Sequence, residues 1–282
     1  MIGPTGIVWI ASYPKSGSTW VRMLLASLST GAQAPNLRNL GRHCPGGVDL
    51  RWLEKTLDVE TRHMTADQLS HARREAMRNV SGKDPRWFKV HDRFTPDLFP
   101  EDVTAACVYI VRDARDVAPS WADHMNVDLD TAITRMGDPN FTLSRVGTKY
   151  HEQAPQTLGS WSDHVQSWLA APLRPLLLLR YEDLLADPLH QATRLAKFLG
   201  LPVQRDVIAA SVDACAFDKL QAREIEEGFS ERMSHQHLFF RQGRAGAWRE
   251  VLSAAQARRI WNAHQSTMLA LGYDEGGFSG GL

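Results

Sequence analysis

The chain has 282 residues, with 32 Lys plus Arg against 32 Asp plus Glu. That length suits one α/β domain with embellishments, and the balanced charge excludes a broad field for nucleic acid or an anionic membrane, so any anion site has to be built locally. Three cysteines, Cys44, Cys107 and Cys215, are odd in number and lack C-x-x-C spacing, which argues against a disulfide framework or structural zinc and for a reducing compartment.

The N-terminus, "MIGPTGIVWIASYP", has a short apolar run and no basic flank. The longest later run, "LRPLLLLRY", falls far below the roughly 20 residues that span a bilayer. The expectation is an unexported, cytoplasmic protein without a membrane span.

The first strand is predicted over Gly6 to Ser12, and it leads through "YPKSGST" into a helix, "STWVRMLLASLS". A helix follows over "TADQLSHARREAMRNV", with Thr65 and Gln68 in capping-box spacing. Strands come next over Arg86 to Val90 and Ala106 to Val111, then helices over "ARDVAPSWADHM" and "SWSDHVQSWLA". The last strand runs from Pro175 to Arg180, ahead of the helices "HQATRLAKFLG" and "LSAAQARRIWNAHQSTMLALG", where Gly200 and Gly272 serve as stops. Short apolar runs alternating with helical periods predict an α/β fold, a central parallel sheet with helices on both faces and a phosphate-binding loop after the first strand. Residues 125–159 break the alternation as an insertion that could cover a site, and residues 223–250 as a charged, glycine-rich lid. The tail "EGGFSGGL" reads as disordered.

Three stretches carry anion chemistry. In the first, the amides of Ser16 to Thr19 converge at a helix N-terminus, Lys15 adds a mobile cation, and Ser18 and Thr19 add hydroxyls. The lysine precedes the turn glycine, the reverse of the order in a triphosphate loop, and an ordinary capped turn remains an alternative. In the second, Arg112 ends a strand where a triphosphatase would carry a magnesium-binding acid, and Ser120 lies eight residues on. Pairing of Arg112 with a surface carboxylate, or a metal-linked role for Asp113, stays open. The third, Arg241, Gln242 and Gly243, is a basic turn whose bland reading is a solvated loop.

If a group is to be transferred to an acceptor hydroxyl, a base is needed to remove the acceptor proton. "WFKVHDRF" puts Lys89 and His91 on one face of a strand end, with Asp92 on the other. Among 11 histidines, His124 and His151 are the rivals.

"YPKSGSTW", "VRDARDVAPSW", "YEDLLADP" and "RQGRAGAW" together resemble the cytosolic sulfotransferase family that uses 3′-phosphoadenosine 5′-phosphosulfate (PAPS). The family motifs read close to YPKSGTTW, a strand-end Arg with a Ser eight residues on, YEDL, and RKGxxGDW; the matches keep their order over residues 7 to about 250. The resemblance implies a single sulfotransferase domain over 1–282 of P-loop-like fold. It implies that Lys15, Ser16, Gly17, Ser18 and Thr19 bind the 5′-phosphosulfate, with Trp20 beside the adenine. Arg112 and Ser120, helped by Arg241, Gln242 and Gly243, would take the 3′-phosphate, while Tyr181 and Phe217 flank the adenine. His91 would be the base and Lys89 would lie near the transferred sulfonate, with adenosine 3′,5′-bisphosphate (PAP) as product and no metal required. Cys215, Ala216, Gln242 and Ala247 depart from the family pattern.

Two other readings stay open, an ATP-dependent small-molecule kinase and a nucleotide binder without catalysis. The acceptor is expected to be a small molecule or a glycan presenting a hydroxyl, or with less support an amine. It would be held by segments that contain Trp52, Phe94, Phe141, Tyr150, Phe229, Phe239 and Phe240. No short C-terminal dimer motif is evident, and oligomeric state is left open.

Overall fold

The computed structural model describes residues 6–81, 86–143, 152–173 and 175–278. Tyr150 and His151 lie outside the described residues. The elements run β1 (Ile7–Ser12), α1 (Ser18–Ser29), α2 (Leu40–His43), α3 (Leu50–Leu57), α4 (Ala66–Val80) and β2 (Arg86–Val90). Then come β3 (Thr104–Val111), α5 (Ala114–Met125), α6 (Leu129–Met136), β4 (Thr142–Leu143), β5 (Gln156–Thr157), α7 (Trp161–Leu169) and β6 (Leu176–Arg180). The chain continues with α8 (Tyr181–Ala186), α9 (Pro188–Phe198), α10 (Arg205–Ala214), α11 (Phe217–Glu227), α12 (Trp248–Val251), α13 (Ala254–Ala270), β7 (Tyr273–Asp274) and β8 (Gly277–Phe278).

Four strands make the central sheet in the order β2-β1-β3-β6, every pair parallel. β1 is buried along its whole length, and its alternating side chains feed two different cores. Ile7, Trp9 and Ala11 join one with Phe88, Trp121, Trp161 and Trp168, whereas Val8 and Ile10 join the other with Leu24, Leu25, Leu179 and Leu195. This double burial is why the strand reads as a continuous apolar run. Trp9 sits 5.1 Å from Phe99 and 6.3 Å from Phe88, both tilted or edge-on, and its indole N–H donates to Thr104 Oγ1 at 2.9 Å.

The chain passes from β1 to β2 on one side and then to β3 on the other, so a topological switch point lies at the carboxyl end of β1, where open α/β sheets bind ligands. Registers Ala11↔Val90, Ser12↔Ile110 and Val111↔Arg180 bring the ends of all four strands level. The segments that follow them, Tyr13–Gly17, His91, Arg112 and Tyr181, therefore share one rim.

Several sequence expectations are corrected here. The tail is not without structure up to Phe278, because Gly277–Phe278 pair antiparallel with Tyr273–Asp274. Residues 125–159 contain α6 and the β4–β5 pair, and residues 223–227 belong to α11. α11 escapes a periodicity search because its buried face includes a carboxylate: Glu224 is buried and accepts from the Phe239 and Phe240 amides at 2.8 and 2.9 Å.

Candidate active site

A cleft of about 1030 Å³ opens along the strand-end rim. It is lined by Lys15, Gly17, Ser18, Thr19 and Trp20 of the phosphate loop, Lys89 of β2 and His91 just after it, and Arg112 and Ser120 after β3. Tyr181, Phe217, Arg241, Gln242 and Gly243 complete the wall. The structure thus gathers nearly all the residues singled out in the sequence. Ser16 is the exception: it is buried and absent from the lining, and its hydroxyl has no hydrogen-bond partner among the described residues.

The phosphate loop turns by placing Lys15 at φ 68° and Gly17 at φ 104°. A Cβ on Gly17 would lie 2.7 Å from Tyr181 Cδ2, so glycine is required both for the backbone and for the approach of the ring. Tyr181 in turn meets Trp20 edge-on at 6.0 Å and carries the Arg112 guanidinium over its face at 4.4 Å. The Trp20 indole donates to the Cys215 carbonyl at 2.9 Å. Gly243 (φ 59°) packs so closely on Phe217 that a Cβ there would enter the ring. Lys15 Nζ sits 4.1 Å above the Phe239 ring, and burial lowers its pKa to about 8.

Arg112 donates to the carbonyls of Lys15 (3.4 Å) and Arg244 (3.1 Å), and it has no carboxylate ion pair among the described residues. The surface-pair alternative therefore fails for it. Arg241 differs: its guanidinium is 3.0 Å from Asp123 of α5, because residues 235–241 dock there, with His235 Nε2 on the Asp123 carbonyl and Gln236 on its carboxylate. Asp113 is sequestered, both its oxygens being taken by Arg115 at 2.7–2.9 Å, which leaves no free acid for a metal-linked role.

His91 Nδ1 lies 2.8 Å from the Ser12 carbonyl, so Nδ1 carries the proton and Nε2 carries the lone pair. Burial, then the Lys89 charge, hold the imidazole pKa well below the ordinary 6.5. His91 is therefore neutral near pH 7, the state a base requires. Asp92 points away and forms a buried bidentate pair with Arg73 at 2.6 and 3.2 Å. The rival His124 also lines the cleft, stacked on Trp121 at 5.9 Å and lowered to about 4 by burial and then by Lys15.

Sequence reasoning missed Arg22, Glu231 and Asp116. Arg22 is buried in α1 and holds Glu231 bidentately at 2.7 and 2.9 Å; Glu231 lies 3.8 Å from Lys89 Nζ, and these cations keep its pKa down to about 2 against the cost of burial. The signal was one arginine in the otherwise apolar run "WVRMLLASL". Asp116 accepts from the amides of Gly246 and Trp248 at 2.6 and 2.9 Å, which pins the "RQGRAGAW" turn onto α5. The aromatic expectation for the acceptor wall is corrected. Trp52, Phe94, Phe141 and Phe229 do not line the cleft but pack against Phe88, Phe99, Trp121 and Phe239 respectively; only Phe239 and Phe240 face it.

A family model described as "Sulfotransferase domain" matches residues 6–272. The chain belongs to the sulfotransferase family. It is an enzyme of sulfuryl transfer, and the kinase reading gains no support. This sulfotransferase is 24% identical to flavonol 3-sulfotransferase of Flaveria bidentis, over 90% of this chain and 78% of the relative. It is 26% identical to sulfotransferase 1A1 of Rattus norvegicus, over 92% and 83%. Among solved structures, retinol dehydratase in a complex with retinol and PAP superimposes with TM-score 0.63 at 20% identity, over 95% of this sulfotransferase and 82% of that chain. Mouse sulfotransferase SULT7A1 complexed with PAP gives 0.57 at 16%, over 95% and 86%. These likenesses place the sulfotransferase fold.

Proposed function

We propose that the enzyme moves the sulfuryl group of PAPS to a hydroxyl of a small-molecule or glycan acceptor, with an amine the lesser option. The observation that carries this reading is the single cleft that joins the phosphate loop, Arg112 and Ser120, and His91. The superimposed retinol dehydratase and mouse sulfotransferase are both complexed with PAP, which supports the donor, and the retinol in the former complex supports a small-molecule acceptor. The residues present suit such a donor. A buried hydroxyl without a partner, Ser16 Oγ, sits inside the loop, and Arg112 has a buried Nε without a partner among the described residues.

Lys15 and the loop amides would hold the 5′ end and offset charge on the departing phosphate. Arg112 and Ser120 would hold the 3′-phosphate, with Gln242 and Gly243 closing over it; Arg241 would first have to leave Asp123. Trp20, Tyr181 and Phe217 would flank the adenine. PAPS supplies an activated sulfuryl group on a good leaving group. His91 Nε2 would take the proton of the acceptor hydroxyl, and Lys89 would offset charge on the transferred group. With these cations in place no metal is required. The chain is read as one domain over 1–282, with 125–159 bordering the acceptor and 223–250 as a cover. A cytoplasmic setting is read from a relative named cytosolic sulfotransferase 10 of Arabidopsis thaliana, 26% identical over 89% of this chain and 74% of the relative. Among the described residues no helix is long and apolar enough to cross a membrane.

The test is transfer of labelled sulfate from PAPS across an acceptor panel, with and without a chelator, by the parent and by His91→Ala. Chelator-resistant transfer that is lost in His91→Ala is expected. Transfer at the parental rate by His91→Ala would remove the base assignment.

A further inference from the structure

The His91 ring proton goes to the carbonyl of Ser12 at the end of β1. Tyr109 sits in β3, which pairs with β1. The Tyr109 hydroxyl lies 2.8 Å from His164 Nδ1, and His164 Nε2 lies 3.1 Å from the backbone carbonyl of His91. A carbonyl can only accept, so Nε2 of His164 carries the proton and Nδ1 accepts from Tyr109. The hydrogen bonds consequently run head to tail from Tyr109 to His164 and from His164 to the His91 carbonyl, and the Ser12 carbonyl holds the His91 ring.

The surroundings of these bonds are rigid. Tyr109 and His164 are fully buried, and Tyr13 packs edge-on to His164 at 5.4 Å. α7 supplies two more contacts from the same face: Trp168 Nε1 donates to the Asp92 carbonyl at 3.0 Å, and Ser167 Oγ accepts from the Phe94 amide at 2.9 Å. Positions 164, 167 and 168 fall on one side of a helix, so α7 grips the backbone of residues 91–94 as a unit. Tyr109, His164, Ser167 and Trp168 do not line the cleft. Bonds aligned in one direction polarise each other, and a buried network with every member satisfied specifies one geometry.

We infer that Tyr109 and His164 are positioning residues for the proton transfer: they fix the His91 backbone, and with it the seat of the imidazole whose Nε2 is left free for the acceptor. This rests on the reading of His91 as the base. It extends that reading to two core residues that touch neither donor nor acceptor.

The test uses Tyr109→Phe, which removes only the shared hydroxyl, in the parent and in His91→Ala. In the parent, kcat is expected to fall about tenfold to a hundredfold, as for a displaced catalytic group, while the Kd for PAP stays within threefold. In His91→Ala the same substitution is expected to leave the residual rate unchanged within twofold, since there is no base left to position. Equal proportional losses in both backgrounds, or a parental kcat in Tyr109→Phe, would overturn the inference while leaving the base assignment intact. A His91→Ala enzyme as fast as the parent would overturn the base assignment and the positioning role with it. If Tyr109→Phe does not fold, the comparison moves to His164. There His164→Gln, which keeps an N–H donor for the His91 carbonyl, is expected to retain at least about a third of parental kcat, and His164→Ala a tenth or less. Equal rates for those two would overturn the inference.

Discussion

Replacing Gly17 by alanine tests whether the phosphate loop depends on the close seat of Tyr181. Two costs add. A non-glycine residue at φ 104° is strained by about 1–3 kcal/mol. Its Cβ would also lie 2.7 Å from Tyr181 Cδ2, and the ring cannot swing freely because it is buried with the Arg112 guanidinium over its face at 4.4 Å. Overpacking of that kind costs about 1–3 kcal/mol. The total is about 2–6 kcal/mol, divided between the folded state and the bound state. If the free loop relaxes, the lower figure alone weakens PAP binding roughly 30-fold, at about 1.4 kcal/mol per factor of ten. If the loop holds its shape, the loss appears in thermal unfolding, at about 2–4 °C per kcal/mol for a chain of this size. Titration calorimetry with PAP and a melting curve together capture both. Binding within twofold of the parent along with a Tm within 1 °C would refute the reasoning.

Two further outcomes follow from the site's electrostatics and packing. Since His91 must be neutral to act and is held well below 6.5, kcat/KM stays level as pH falls through 6.5 and drops only in more acid buffer; since Lys15 must be charged and sits at about 8, kcat/KM falls again above about pH 8. A pH profile checks both limbs, Lys15→Arg should remove the alkaline one, and an acid limb at or above 6.5 would contradict the geometry. Asp92→Ala leaves Arg73 charged and buried without its partner, a loss of about 3–5 kcal/mol that a denaturant titration would read as a lowered midpoint; an unchanged midpoint would mean the pair is not buried in solution.

The sheet and the helices that flank it were legible chiefly because the two central strands, β1 and β3, are buried on both faces and read as apolar runs. The capping box at Thr65 and Gln68 forms in the structure, and the helices after "YPKSG" and "VRD" start where their glycine and aspartate caps stand. α10 and α11 were not legible. In α11 a buried Glu224 occupies a position where periodicity looks for an apolar side chain, and α10 buries only Ile208 and Ser211.

At the site, the motifs gave the cleft-lining residues of the first loop, Arg112, Ser120 and His91, since these lie at or just after strand ends whose order can be read. What could not be read was which charges neutralise which. Glu231 is more than 200 residues from Arg22 in sequence yet bonds it at 2.7 Å, and Asp123 claims Arg241 across a similar fold-dependent contact. The aromatic residues in the loops carry no mark that separates packing from lining, so Phe141, which packs on Trp121, and Phe239, which lines the cleft, look alike in sequence.

The central claim is a two-ended clamp for a 3′,5′-bisphosphate, and calorimetric titration of the metal-free protein with PAP, set against Mg-ATP, tests it most directly. The account predicts that PAP binds without metal, and that Arg112→Ala weakens it about tenfold or more by removing a charge-assisted contact, while Mg-ATP binds far more weakly. Tight binding of Mg-ATP with no binding of PAP would contradict it.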